Sequence, residues 1–130
     1  MSIKNTQLKK NSMTETQSIA IEILKLVPEN SICFINAPSI YEDSAILKLL
    51  QPSNQYDWQL TLNTENVNSL IDVILKENIE THFHMLTIES YGKILFIAYD
   101  GMCGVTVKKE INVPEWFAKK FEDTLMFETN

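Results

Sequence analysis

His82, His84 and Cys103 fall in one short stretch, THFHMLTIESYGKILFIAYDGMCGVTVKK, residues 81–109. Imidazole titrates near neutral pH, and cysteine is the strongest nucleophile available there. A cysteine and a histidine within hydrogen-bond reach make a nucleophile–base pair, and two histidines with a third ligand can hold zinc. Nucleophilic or acid–base chemistry in this chain would be sought first in this segment.

The elements that carry these residues limit that chemistry. The segment reads as three strands, roughly 82–89, 93–99 and 102–108, joined by two-residue turns at Tyr91-Gly92 and Asp100-Gly101. Those turns predict that His84 pairs with Tyr99, Thr87 with Phe96, Ala98 with Cys103 and Phe96 with Val105. Residues that pair, or alternate along a strand, share a face. One face then carries Met85, Thr87, Phe96, Ala98, Cys103 and Val105. The other carries His82, His84, Leu86, Ile88, Leu95, Ile97 and Tyr99. This register separates the thiol from the imidazoles, although a bulge or a slip by one residue reverses it. His82, His84, Tyr99 and Asp100 remain a candidate ligand-binding face. Zinc usually takes three protein ligands, and the sequence supplies no compelling third, so neither a metal nor a cofactor is expected.

Upstream, Ser12 and Thr14 each open a capping box, with Glu15 and Gln17, ahead of a helix bearing Met13, Ala20, Ile23, Leu24 and Val27 and stopped by Pro28. Asn30 turns the chain into SICFINA, an apolar run read as a buried strand. Ser39 or Asp43 is expected to start a second helix through Leu50, ended by Pro52. Trp58, Leu60 and Leu62 alternate as a half-buried strand. Thr64 is expected to cap the clearest helix, whose stripe is Val67, Leu70, Ile71, Ile74 and Leu75. A last helix is predicted from about Asn112, with Phe117, Phe121 and Leu125 inward. Element order is therefore α-β-α-β-α-β-β-β-α. The class is α+β: an antiparallel or mixed five-stranded sheet with helices mainly on one face. Residues 1–12 read as a flexible tail and 13–130 as a single globular domain.

Composition narrows the function further. The chain has a net charge of −6 and 45% hydrophobic residues, and its eleven bases are all lysine. Lack of the planar guanidinium fork argues against dedicated phosphate or base recognition. Lys108-Lys109 and Lys119-Lys120 are too short for a nucleic-acid footprint. Three glycines, at 92, 101 and 104, leave no material for a phosphate-cradling loop. No apolar window approaches the ~20 residues of a membrane span, and the N-terminus lacks the apolar run of a secretory signal. Cys33 and Cys103 are accordingly expected to be reduced thiols in a cytoplasmic protein.

Two loops suggest a positive function. Tyr41-Glu42-Asp43 and Tyr56-Asp57-Trp58 each set aromatics beside acids near strand ends. Aromatics anchor protein interfaces, and acids steer a basic partner toward them. The expectation is a small acidic binding protein, monomeric or homodimeric, which occludes a protein partner in the manner of an immunity or antitoxin-type inhibitor. A basic toxin domain would complement its charge, and neither nucleic acid nor membrane is expected as a partner. The alternative is a small enzyme or a metal- or ligand-binding module using His82, His84 and Tyr99. With no catalytic signature, the non-enzymatic reading comes first.

Overall fold

A computed structural model describes residues 14–36, 45–54, 56–76, 84–99 and 104–127. Helix α1 is Glu15–Leu26, strand β1 Ser31–Asn36, β2 Gln51–Pro52 and β3 Trp58–Leu62. Helix α2 follows at Thr64–Lys76, then β4 Met85–Ser90, β5 Lys93–Tyr99, β6 Gly104–Val107, helix α3 Glu115–Lys120 and β7 Leu125–Phe127. The strands form one sheet in the order β2-β3-β1-β4-β5-β6-β7. Every pairing is antiparallel except β6 with β7. The class is α+β, as expected, but the described residues form seven strands rather than five. The two additions, β2 and β7, have two and three residues, too few to leave a period in the sequence.

Helix α1 begins with the capping box formed by Thr14 and Gln17. The Thr14 hydroxyl accepts from the Gln17 backbone N–H at 3.1 Å, and the Gln17 side chain accepts from the Thr14 N–H at 2.9 Å. The Gln17 amide also donates to the Ile74 carbonyl at 2.8 Å, tying α1 to the last turns of α2. Asn63, not Thr64, caps α2: its Oδ1 accepts from the Asn66 N–H at 2.8 Å. Thr64 instead donates to the Glu29 carboxylate. The buried stripe of α2 is Leu70, Val73 and Ile74, while Leu75 is 49% exposed. Val73 lies three residues from Leu70, so it shares the inward face that Leu75 has rotated past.

The expected helix through Leu50 is described only from residue 45. There the chain makes tight turns, with Leu49 N–H bonded to the Ile46 carbonyl and Leu50 N–H to that of Leu47. The last helix starts three residues later than predicted and covers only six residues. It keeps Phe117 and Phe121 inward, their rings edge-to-face at 5.0 Å. Leu125 belongs to β7, not to the helix. A Leu-Met-Phe run with an open strand alongside gains more from ladder hydrogen bonds than from one further helical turn.

The sheet register differs from expectation at one residue. Glu89 pairs with Ile94 as the Tyr91-Gly92 turn predicts, but Ile88 then pairs with Phe96, leaving Leu95 without an opposite number. This β-bulge turns both Leu95 and Phe96 inward, 4% and 1% exposed. All pairings of β4 beyond it are displaced: Thr87 faces Ile97, Leu86 faces Ala98 and Met85 faces Tyr99. Across β5 and β6, Ala98 meets Val105 and Phe96 meets Val107. Tyr99 meets Gly104, and the expected turn at Asp100-Gly101 lies outside the described residues.

One face of the sheet consequently carries Ser31, Cys33, Ile35, Leu60, Leu62, Leu86, Ile88, Phe96, Ala98, Val105 and Val107, all buried. Ile19, Ile23, Leu70, Ile74 and Phe117 from the three helices join them in one core. Truncating Phe96→Ala should lower stability by about 3–5 kcal/mol, read as a shift in urea midpoint. A loss below about 1 kcal/mol would mean that the bulge does not place this ring in the core.

Candidate functional site

Among the described residues, no helix packs on the opposite face of the sheet. Alternation places Ile32, Phe34 and Asn36 of β1 there, with Gln59 and Thr61 of β3 and Met85, Thr87 and Glu89 of β4. Ile94, Ile97, Tyr99, Thr106 and Met126 complete it. Most are half-buried, whereas Tyr99 is 43% and Met126 68% exposed. Of these positions only Glu89 is charged. Lysines and acids are instead placed along the helices and loops.

Asn36 organises one end of this face. Its Oδ1 accepts from the Asp57 N–H at 3.1 Å, and its carbonyl accepts from the His84 N–H at 2.8 Å. The loop before β3 is thereby fastened to the end of β1. Tyr56, on that loop, stacks on Phe34 with ring centroids 4.8 Å apart and planes at 29°. Offset stacking of this kind fixes the tyrosine without hiding it completely. A concavity of about 230 Å³ beside the stack is lined by Phe34, Ser53, Asn54 and Gln59.

Thr87 sits at the centre of the face between its cross-strand neighbours Phe34 and Ile97. It is 1% exposed, and its hydroxyl has no hydrogen-bond partner among the described residues. A buried unpaired hydroxyl costs about 1–3 kcal/mol. Thr87→Val should therefore raise stability by roughly 1 kcal/mol in chemical unfolding, and a loss of that size would show that the hydroxyl is bonded.

The structure treats the sequence candidates unequally. Tyr56 belongs to the open face, and exposed Asp57 borders it. Trp58 does not join them: it pairs with Ile35 and packs against the core. Tyr41, Glu42 and Asp43 lie outside the described residues, as do His82, Asp100 and Cys103. His84 is exposed one residue before β4, and Met85 rather than His84 stands opposite Tyr99. The expected His84–Tyr99 pairing is thus overturned by the bulge. The face expected to carry Leu86, Ile88, Leu95 and Ile97 is likewise divided, since only Ile97 stays on the open side. Among the described residues, no group of three His, Cys, Asp or Glu side chains could hold a metal ion. Also among them, no helix is long and apolar enough to cross a membrane.

Sequence reasoning missed Asn36 and Phe34, which read only as part of a buried run. An asparagine closing an apolar strand was the available signal, because its amide must find partners at the strand end. Cys33, from the same strand, is fully buried, and burial pushes its thiol pKa up to about 12. In a Cys103→Ser background, Cys33 should resist a thiol-reactive dye at pH 8 until denaturant is added. Rapid labelling of the native protein would contradict its placement in the core.

The fold and the face define an α+β protein with a one-sided sheet. Comparison with protein-family models, with curated proteins and with solved structures finds no match.

Proposed function

We propose that this chain is a small cytoplasmic protein-binding module that uses its open sheet face to occlude a cationic protein partner, as an immunity or antitoxin-type inhibitor does. The observation that carries this reading is the composition of the open face. Interface cores are depleted in charge and enriched in Tyr, Phe and Met. This face carries Phe34, Met85, Tyr99 and Met126, with Glu89 its one charged strand residue. The charge outside the face supports a cationic partner, since the chain as a whole is −6. Acids such as Asp57 at the border would accelerate encounter, while the apolar centre would hold the complex.

The test is recovery of the tagged protein from its native cells across a range of salt, followed by binding kinetics with the captured protein. Tyr99→Lys and Met126→Lys should each weaken the complex by about tenfold or more. Trp116→Lys, at a residue 55% exposed on α3, should leave it unchanged. Asp57→Lys should slow association and flatten its salt dependence while altering dissociation little. If only Trp116→Lys disrupts the complex, the open face is not the interface. Self-association abolished by Tyr99→Lys would assign the face to a second copy of the chain instead.

A further inference from the structure

A second concavity lies on the helical side of the sheet, beyond the end of α1. It has a volume of about 410 Å³ and is lined by Pro28, Ser90, Tyr91, Lys93, Leu95 and Glu110. That volume falls in the range of small-molecule pockets. Past the bulge, Ser90 pairs with Lys93, so both stand on the same side as the inward-turned Leu95. The irregularity that sets the register of β4 thus also supplies the pocket with its apolar floor. Bulges commonly occur beside functional sites because they re-aim a side chain in this way.

The mouth carries two further features. Tyr91 adopts φ 53° and Gly92 φ 78°, the left-handed pair of a type I′ turn. Asn or Asp ordinarily takes the first of these positions, whereas a bulky residue there is strained. The Tyr91 side chain is nonetheless fully exposed, with no burial to offset that strain. The rim also carries an ion pair. Lys93 forms an ion pair with Glu110, and Lys109 is the adjacent residue. The hydrogen bond from Lys93 holds the Glu110 carboxyl below its ordinary pKa, and the Lys93 and Lys109 charges add to it. Lys93 is the one cation among the lining residues, and Glu110 is its partner there.

We propose that this pocket binds a small apolar carboxylate, with its hydrocarbon body against Pro28, Leu95 and the Tyr91 ring and its head group on Lys93. Glu110 then acts as an internal competitor that the ligand carboxylate displaces. Tyr91 closes over the hydrocarbon, a role that asparagine could not fill. This site is independent of the open sheet face and of any protein bound there.

Octanoate is the probe, titrated into the full chain by calorimetry, with 1-octanol at the same concentrations as the uncharged control. Octanoate should bind saturably at one site and octanol at least about tenfold more weakly, the worth of a charge-assisted hydrogen bond. Lys93→Gln should weaken octanoate binding about tenfold, while Glu110→Gln should strengthen it severalfold. An ion pair that is merely structural would make the two variants change together, and that result overturns the proposal. So does equal binding of octanol, or no saturable binding at all. Tyr91→Asn supplies the folding control: its unfolding midpoint should rise as its octanoate affinity falls. A variant that binds octanoate as well as the parent removes Tyr91 from the site.

Discussion

One unpaired residue, Leu95, decides which side chains of β4, β5 and β6 share a face of the sheet. Side chains alternate along a strand, so a single extra residue exchanges the faces of everything beyond it relative to the neighbouring strand. With the bulge, Leu86, Ile88, Phe96, Ala98, Val105 and Val107 share one side, buried beneath the helices. Without it, Leu86 and Ile88 would face away from Phe96, and neither side would bury a continuous apolar surface. Burial of a large aliphatic side chain contributes about 1.5–3 kcal/mol. Moving two of them out of the core outweighs the ladder irregularity that the bulge introduces.

The same constraint gives the protein its asymmetry. All helices described cover one face, and the core extends from Ile19 and Leu70 through the sheet to Phe117. The other face is left with threonines, amides, half-buried aliphatics and two exposed apolar side chains. Its charge is carried elsewhere, on helices and turns where ions such as Lys76 and Asp72 pair in solvent. A sheet with one solvated face usually shows polar outward positions. Here Ile32, Phe34, Met85 and Ile97 occupy those positions, and Phe34 and Ile97 flank the buried hydroxyl of Thr87. The two faces of the sheet therefore differ: one lies under helices that carry charges of both signs, and the other is nearly neutral.

Much of the fold was legible in the residues. The five longer strands, the capping box at Thr14, the turn at Tyr91-Gly92 and the α+β class follow from local hydrogen-bonding chemistry and hydrophobic period. Short elements were not legible. Gln51–Pro52 has no period at all, and Leu125–Phe127 continues the helical spacing of Phe117 and Phe121 although it pairs with β6. The candidate site was less legible than the fold. Tyr56 and Asp57 were found through their residue types, but Trp58, the first residue of β3, stands opposite Ile35 on the core face.

The sequence by itself determined the composition-level facts: an acidic chain without arginine, no glycine-rich phosphate loop, and alternating strands with amphipathic helices. Those depend on residue type and on neighbours a few positions away. Only the tertiary structure decided the faces. Whether His84 stands opposite Tyr99, and whether Leu95 lies in the core or on the open side, depends on total burial summed across β1, β4, β5 and β6. Such a sum has no local signature, since either register satisfies the turn at Tyr91-Gly92. The placement of the bulge settles the choice, because only one parity puts Leu86, Ile88 and Phe96 together under the helices.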